Sequence, residues 1–406
     1  MTDAYNGQNQ KEVHPMKKLI ALVLSLMLFL PVVALGEGVA GEIVIGIYEP
    51  ASGINGAGGK QETLGIYYAN AVAPTVKLSD GIYTVKLVEV DNQSSNDKAV
   101  SAATQLVSAG ASIVLGSYGS GVSIAAAPTF DAAGVVAIGV SCTNPQVTAG
   151  NPLYYRICYL DPFQGTVLAN FAIDEFSAKK AYTLAQLGND YDVGLAHYFT
   201  EAFKARGGEV TGETFPLGTS DFTAYLTKAV NEGAQVIFAP TSTEFAAQII
   251  TQAAANGIKL PILAGDTWDS PVILEAAKGT DLAVSVSTFF DEGDTSSLAA
   301  EFVTGFKAWL NQNPEKLANN GGTDIVAAVS ALGYDAYMVA LEALKLADSG
   351  ERDDIADIMA DVTFDGVTGK IVFGENGDAV RNQAFIIKSD NELGAWQFVK
   401  VQSVAE

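Results

Sequence analysis

From position 42 onward the chain alternates short β-branched, apolar runs with stretches in which apolar and alanine positions recur at helical spacing. Runs at 42–48, 83–90, 112–115 and 135–138 predict strands, and the stretches 61–76, 97–108 and 122–133 predict the helices between them. The rhythm restarts after Asp161-Pro162, with helices at 163–176, 195–206, 222–231 and 244–256 alternating with strands at 181–186, 209–215, 236–239 and 262–264. Strand alternating with helix means a parallel sheet covered on both faces, so an α/β fold of two doubly wound parallel-sheet lobes is expected.

The last third breaks the rhythm. It holds a strand at 282–290, helices at 298–310 and 325–347, a short helix at 355–359, and a terminal hairpin-like pair, 369–373 with 384–388, around Gly374-Glu375-Asn376-Gly377. One long helix cannot close a domain alone, so 325–347 must return to a sheet already built. Crossings between lobes are therefore expected near 159–162, 288–291 and 362–366. They divide the chain into a first lobe of 41–160 plus 289–363 and a second of 161–288 plus 364–406. Three such crossings make a hinge that bends one way and resists twisting.

Composition narrows the setting. Lys17-Lys18, an apolar run over 19–35 and Ala34-Leu35-Gly36 have the three parts of a secretory signal, so 1–36 is expected to be a leader with its signal at 16–36 and translation starting at Met16. A retained membrane anchor is the other reading, opposed by the shortness of the run and by Pro31. The two cysteines, Cys142 and Cys158, lie far beyond the run, so no lipobox cysteine follows it, and an exported, periplasmic or extracellular protein is expected. In that compartment the pair is either a disulfide or two buried thiols. A net charge of −23 repels phosphate backbones and anionic lipid, which argues against nucleic-acid partners. With 49% apolar and only 17% charged residues, the chain has the means to bury large sheets.

Candidate chemistry gathers between 116 and 145. An apolar strand runs into Ser117-Tyr118-Gly119-Ser120-Gly121, an alanine-rich helix follows, and the next strand runs into Ser141-Cys142-Thr143-Asn144-Pro145. Small polar loops at the carboxyl ends of neighbouring parallel strands form a crevice, because strand ends and helix N-termini point free donors into it. Reaction chemistry finds little support. A serine elbow needs glycine two residues to either side, but Ser120 is flanked by Tyr118 and Val122, and Ser141 by Gly139 and Thr143. The glycine-rich 53–59 carries neither a dinucleotide fingerprint nor a phosphate-binding lysine pattern, because Gln61 follows Lys60. Past the leader the one histidine is His197, on a helix, and no Cys/His cluster stands ready for a metal, so neither an enzyme nor a cofactor is expected.

Several segments, in order along the chain, carry a family resemblance: Val90-Asp91-Asn92-Gln93-Ser94, the loop at Ser120-Gly121-Val122, Cys142-Thr143-Asn144-Pro145, Asp161-Pro162-Phe163-Gln164-Gly165, Gly265-Asp266-Thr267-Trp268-Asp269-Ser270-Pro271, Ala331-Leu332-Gly333-Tyr334-Asp335-Ala336, and Phe364-Asp365-Gly366-Val367-Thr368-Gly369. The chain resembles the type I periplasmic substrate-binding proteins of the branched-chain amino acid (Leu/Ile/Val) family of ABC importers. The resemblance implies a clamp that captures a free amino acid, or a related amide, between two lobes and delivers it to a membrane permease. It implies that Ser120, with Tyr118, Gly119 and Gly121 around it, meets the ligand carboxylate, that Ser141 and Thr143 hold ammonium and carboxylate from the second loop, and that Tyr191 and Asp266 approach from the other lobe, Asp266 pairing with the ammonium. Trp268 and Phe163 are further candidates for the pocket wall. Two departures concern specificity. Ala57-Gly58-Gly59-Lys60 lacks the aromatic common in the first loop, and Pro240-Thr241-Ser242-Thr243-Glu244 has small hydroxyls where tyrosines are common, so a pocket roomier or more polar than one for leucine is expected. The same clamp could serve as the extracellular half of a receptor. A free-standing carrier is favoured, because no spanning helix follows the terminal strand before Glu406, and a monomer is the default expectation.

Overall fold

The structure, a computed structural model, describes residues 39–403, so the leader lies outside the described residues. The first sheet comprises β1 (Val39–Glu49), β2 (Thr75–Leu78), β3 (Gly81–Asp91), β4 (Ile113–Leu115), β5 (Val136–Gly139) and β6 (Tyr154–Arg156), in the order β2-β3-β1-β4-β5-β6. All neighbours are parallel except β2, which closes one edge antiparallel to β3. Alternation along β1 explains the double winding. Ile43, Ile45 and Ile47 join one cluster with α1 (Gly56–Val72), while Val44 and Tyr48 pack on the opposite face among residues of α2 (Asn96–Ser108) and α3 (Ser120–Ala132).

Chain passing out of β6 enters α4 (Asp161–Phe176) and builds the second lobe. Its strands β7 (Lys180–Gln186), β8 (Glu209–Phe215), β9 (Val236–Phe238), β10 (Ile262–Ala264) and β11 (Val284–Thr288) alternate with α5 (Asp190–Ala205), α6 (Thr223–Asn231), α7 (Thr243–Ala255) and α8 (Pro271–Ala277). After β11 the chain returns to the first lobe as α9 (Ser297–Asn311), α10 (Pro314–Asn319), α11 (Ala328–Ala347) and α12 (Arg352–Ile358). Helix α9 docks by rings: Tyr68 of α1 meets Phe302, Phe306 and Trp309 with centroids 5.9, 5.5 and 5.7 Å away. Helix α11 lies against α1 almost backbone to backbone. A Cβ at Gly65 would stand 1.9 Å from the Ser330 carbonyl oxygen, and one at Gly333 2.3 Å from that of Glu62. A hairpin, β12 (Thr363–Gly366) with β13 (Gly369–Val372), precedes β14 (Ala384–Asp390) and β15 (Ala395–Gln402). These last two strands extend the second sheet, whose order is β15-β14-β11-β10-β9-β7-β8, with an antiparallel edge.

The doubly wound α/β fold is the one expected, with three local differences. The helix expected at 61–76 ends at Val72, and its last residues belong to β2. The terminal pair 369–373 with 384–388 does not form, because β13 turns back on β12 instead. Asp335 fixes that turn by accepting the Val367 and Thr368 N–H groups, each at 2.9 Å, and Gly369 supplies a φ of +96°. The third crossing, expected near 362–366, falls later. Residues 367–368 bond to Asp335, Asp378 pairs with Arg156 of β6, and the second sheet is rejoined only at β14. Where the first two crossings run side by side, the rings of Tyr159 and Phe289 lie 4.1 Å apart.

Candidate ligand-binding site

The carboxyl ends of β4 and β5 face those of β7, β9 and β10 across a cleft that holds a cavity of about 380 Å³. From the first lobe its wall is built by 53–55, 93–97 and the loop Tyr118 to Val122, and from the second by Gln186, 188–192, Leu217, Ser242 and Thr267. Helices α3 and α5 both start here. Asn189 caps α5 by accepting the Tyr191 and Asp192 N–H groups at 3.1 and 3.3 Å, and Gly119 precedes α3 without a side-chain cap, leaving that N-terminus to other acceptors.

Ser120, Gly119, Gly121, Tyr118 and Tyr191 line the cavity together. Ser141, Thr143 and Asp266 stand behind that lining, with exposures of 2%, 0% and 2%. The Ser120 hydroxyl accepts the Asn144 N–H at 3.2 Å, tying the first loop to the second. Thr143 presents a buried hydroxyl that lies close enough to the Asp161 carboxyl to favour its charged form without forming a well-aligned hydrogen bond to it. Tyr191 donates its hydroxyl to Asp266 at 3.0 Å, and Gln164 donates to the same oxygen at 2.7 Å and to Ser287 at 2.9 Å. Two candidates stay away from the cavity wall. Trp268 is fully buried in the second lobe's core, its indole N–H donating to the Thr241 carbonyl at 3.0 Å. Phe163 packs on Tyr159 beside the first crossing, with centroids 5.6 Å apart.

The structure adds carboxyls that sequence reasoning passed over. Glu62 of α1 accepts the Ser141 hydroxyl at 2.5 Å, and Glu49, at the end of β1, accepts the Tyr118 N–H at 2.7 Å. The two fully buried acids therefore pin the two ligand loops from beneath. Burial pushes Glu62 up to about 7 and Asp161 up to about 8. Glu49 is raised well above the carboxylate range by burial and by the charge of Glu62. Burial raises Asp266 only to about 6, because the hydrogen bonds donated by Gln164 and Tyr191 stabilise its charged form. Among the described residues no lysine or arginine lines the cavity. Arg156, the nearest buried cation in the second loop's surroundings, is spent on the Cys142 and Asn144 carbonyls at 2.8 and 2.6 Å and on Asp378. The loop geometry is thus held by a guanidinium, while the acids behind the cleft wall have no protein cation beside them among the ion pairs of the described residues. Glu62 and Glu49 carried no signal of their own in a chain with 46 acidic residues, most of them solvated. Cys142 and Cys158 are free, buried thiols.

Hydrogen bonds at the cavity join the two lobes. Asn144 donates to the Asp190 carbonyl at 2.8 Å, and the Tyr118 hydroxyl donates to the Thr267 carbonyl at 3.1 Å. Polar groups from both lobes therefore line one small, partly open volume, with the α3 N-terminus on one side and the buried Asp266 behind the wall on the other. That arrangement suits a small molecule bearing both charges.

The family model described as a periplasmic binding protein matches residues 42–392. The Leu/Ile/Val-binding protein homolog 1 of Brucella abortus is 27% identical over 352 residues, covering 86% of this chain and 90% of that protein. Among solved structures, the leucine binding protein LivK of Thermotoga maritima superposes with a TM-score of 0.78 at 31% identity, covering 89% of this chain and 99% of its own. LivJ of Streptococcus pneumoniae, solved with isoleucine, gives 0.77 at 28% identity over the same shares of the two chains. With the two-lobed fold, the interlobe cavity and the matched span in agreement, the chain belongs to the type I periplasmic binding proteins of the branched-chain amino acid family.

Proposed function

We propose that this protein is the extracytoplasmic solute-binding component of an ABC importer, capturing a small amino acid or related amide in the interlobe cleft and passing it to a membrane permease. The observation that supports this reading is the anion Asp266, buried behind the second-lobe wall of the cavity without a protein cation, with the uncapped α3 N-terminus in the first-lobe wall opposite. A zwitterion stripped of water needs an anion at its ammonium and donors at its carboxylate, and the two lobes supply one each. Ser120 and the α3 N-terminus receive the carboxylate, Thr143 and Ser141 flank it, and Asp266, oriented by Tyr191 and Gln164, receives the ammonium. Capture is reversible and non-covalent, and the bound molecule bridges the lobes, which favours the closed form.

Isothermal titration with the twenty amino acids tests the reading. Asp266→Ala is expected to weaken binding of the best ligand by about 1.5–3 kcal/mol, on the order of ten- to a hundredfold, with the circular dichroism spectrum retained. Affinity of the parent protein for that ligand should rise with pH up to about 6, because Asp266 must be ionised to pair with an ammonium. Unchanged affinity in the variant would remove Asp266 from the site.

A further inference from the structure

We infer that Tyr118 sets the upper size of the ligand's side chain and that Ser242, in the part of the same cavity wall supplied by the other lobe, selects a polar end on that side chain. The inference rests on the amino-acid reading above and names the ligand class within it: amino acids with short hydroxyl or amide side chains.

The first loop offers no ring, because 57–60 is Ala57-Gly58-Gly59-Lys60. A ring reaches the same place from a different segment. Tyr118, in the loop after β4, lies over α1 so closely that a Cβ on Gly58 would sit 2.3 Å from its Cζ. Glycine at 58 is thus what admits the phenol, and any side chain there must displace it. The ring is held at three points: its backbone N–H by Glu49 at 2.7 Å, its face by Gly58, and its hydroxyl by the Thr267 carbonyl at 3.1 Å. Only 5% of Tyr118 is exposed, and the ring forms part of the cavity wall. A side chain so restrained cannot swing aside for a branched or aromatic ligand without losing a cross-lobe hydrogen bond and its packing on α1.

The second lobe contributes Ser242 and Thr267 to the same wall. Thr267 has its hydroxyl committed to the Thr241 carbonyl at 3.0 Å. Ser242 has a buried hydroxyl that makes no hydrogen bond among the described residues. An unpaired buried hydroxyl favours a ligand that returns a hydrogen bond and disfavours one that presents only methyl groups. Tyr118 therefore limits length, and Ser242 discriminates by polarity.

Calorimetric titration of the parent protein, Tyr118→Ala, Tyr118→Leu, Tyr118→Phe and Ser242→Ala with one panel tests this. The panel holds the twenty amino acids and the carboxylic acids that carry the same side chains without the amino group. The parent should bind serine, threonine or asparagine more tightly than leucine or phenylalanine. Tyr118→Ala should shift the ratio toward leucine and phenylalanine by about tenfold or more. Tyr118→Leu, which refills part of the volume, covers the case in which the alanine variant does not fold, and should shift the ratio in the same direction. Tyr118→Phe should keep the order while weakening every ligand by a similar factor, because only the bond to Thr267 is lost. Ser242→Ala should narrow the preference for serine over alanine. An unchanged size order in both Tyr118→Ala and Tyr118→Leu overturns the role of Tyr118, and an unchanged serine preference in Ser242→Ala overturns that of Ser242. Binding confined to the acids lacking an amino group overturns the amino-acid reading, while their size order across the variants still decides the role of Tyr118. Binding of no panel member by any protein overturns both.

Discussion

At the residue scale the cleft is governed by carboxyls kept out of water. Glu62 moves from an ordinary 4.5 up to about 7, Asp161 from 3.8 up to about 8 and Asp269 from 3.8 up to about 7, in each case chiefly through burial. Between those ordinary and raised values the folded protein holds protons that the unfolded chain releases. Stability is therefore greatest below the window and falls as pH rises through it. Calorimetric melting of the ligand-free protein should show a midpoint that declines from about pH 4.5 to about pH 8, and Asp161→Asn should flatten the upper part of that decline. A midpoint that climbs across this range would mean that these acids are ionised and paired. Ser120, Ser141 and Thr143 were legible because apolar runs that end in small polar residues mark strand ends, whereas Tyr191 and Asp266 entered only through the family resemblance. Glu49 and Glu62 were not legible, since a glutamate at a strand end or in a helix reads as solvated until its neighbours are known.

At the element scale, the pairing of α1 with α11 holds the first lobe's site loops in place, since Glu62 and Gly58 both lie on α1. That pairing depends on two glycines. Gly65→Ala would drive a methyl group into the Ser330 carbonyl and Gly333→Ala into that of Glu62. Each is expected to cost at least about 1–3 kcal/mol, read as a lower urea midpoint. A midpoint within error of the parent would show that the helices can part without penalty. The long apolar helix near 325–347 is expected to return to an existing sheet, and α11 does so, packing on β2, β4 and β5 of the first sheet as well as on α1. The strands β2 and β15 escaped notice. Val76 and Leu78 alternate with polar residues over only four positions at the end of a helical pattern, and β15 shows Ala395, Phe398 and Val399 without a clean period of two. Their status as strands comes from the partners β3 and β14, which hydrogen-bond to them.

At the scale of the whole molecule, the lobes meet through Asn144 with Asp190, Tyr118 with Thr267, and Asp269, which accepts the Ala328 N–H at 3.2 Å where α11 begins. If the crossings act as a hinge, a ligand that calorimetry shows to bind should lower the radius of gyration in small-angle scattering. Superimposable curves with and without such a ligand would exclude the hinge. The sequence by itself determined the alternation of strand and helix, the two lobes and the small polar loops at the strand ends, because periodicity and turn chemistry are local properties of the chain. Only the tertiary structure decided which distant strands pair at the sheet edges, which acids lose their water, and that the ring of Tyr118 lies over Gly58. Desolvation and contact depend on neighbours brought together from segments far apart in the chain, and no local pattern records those.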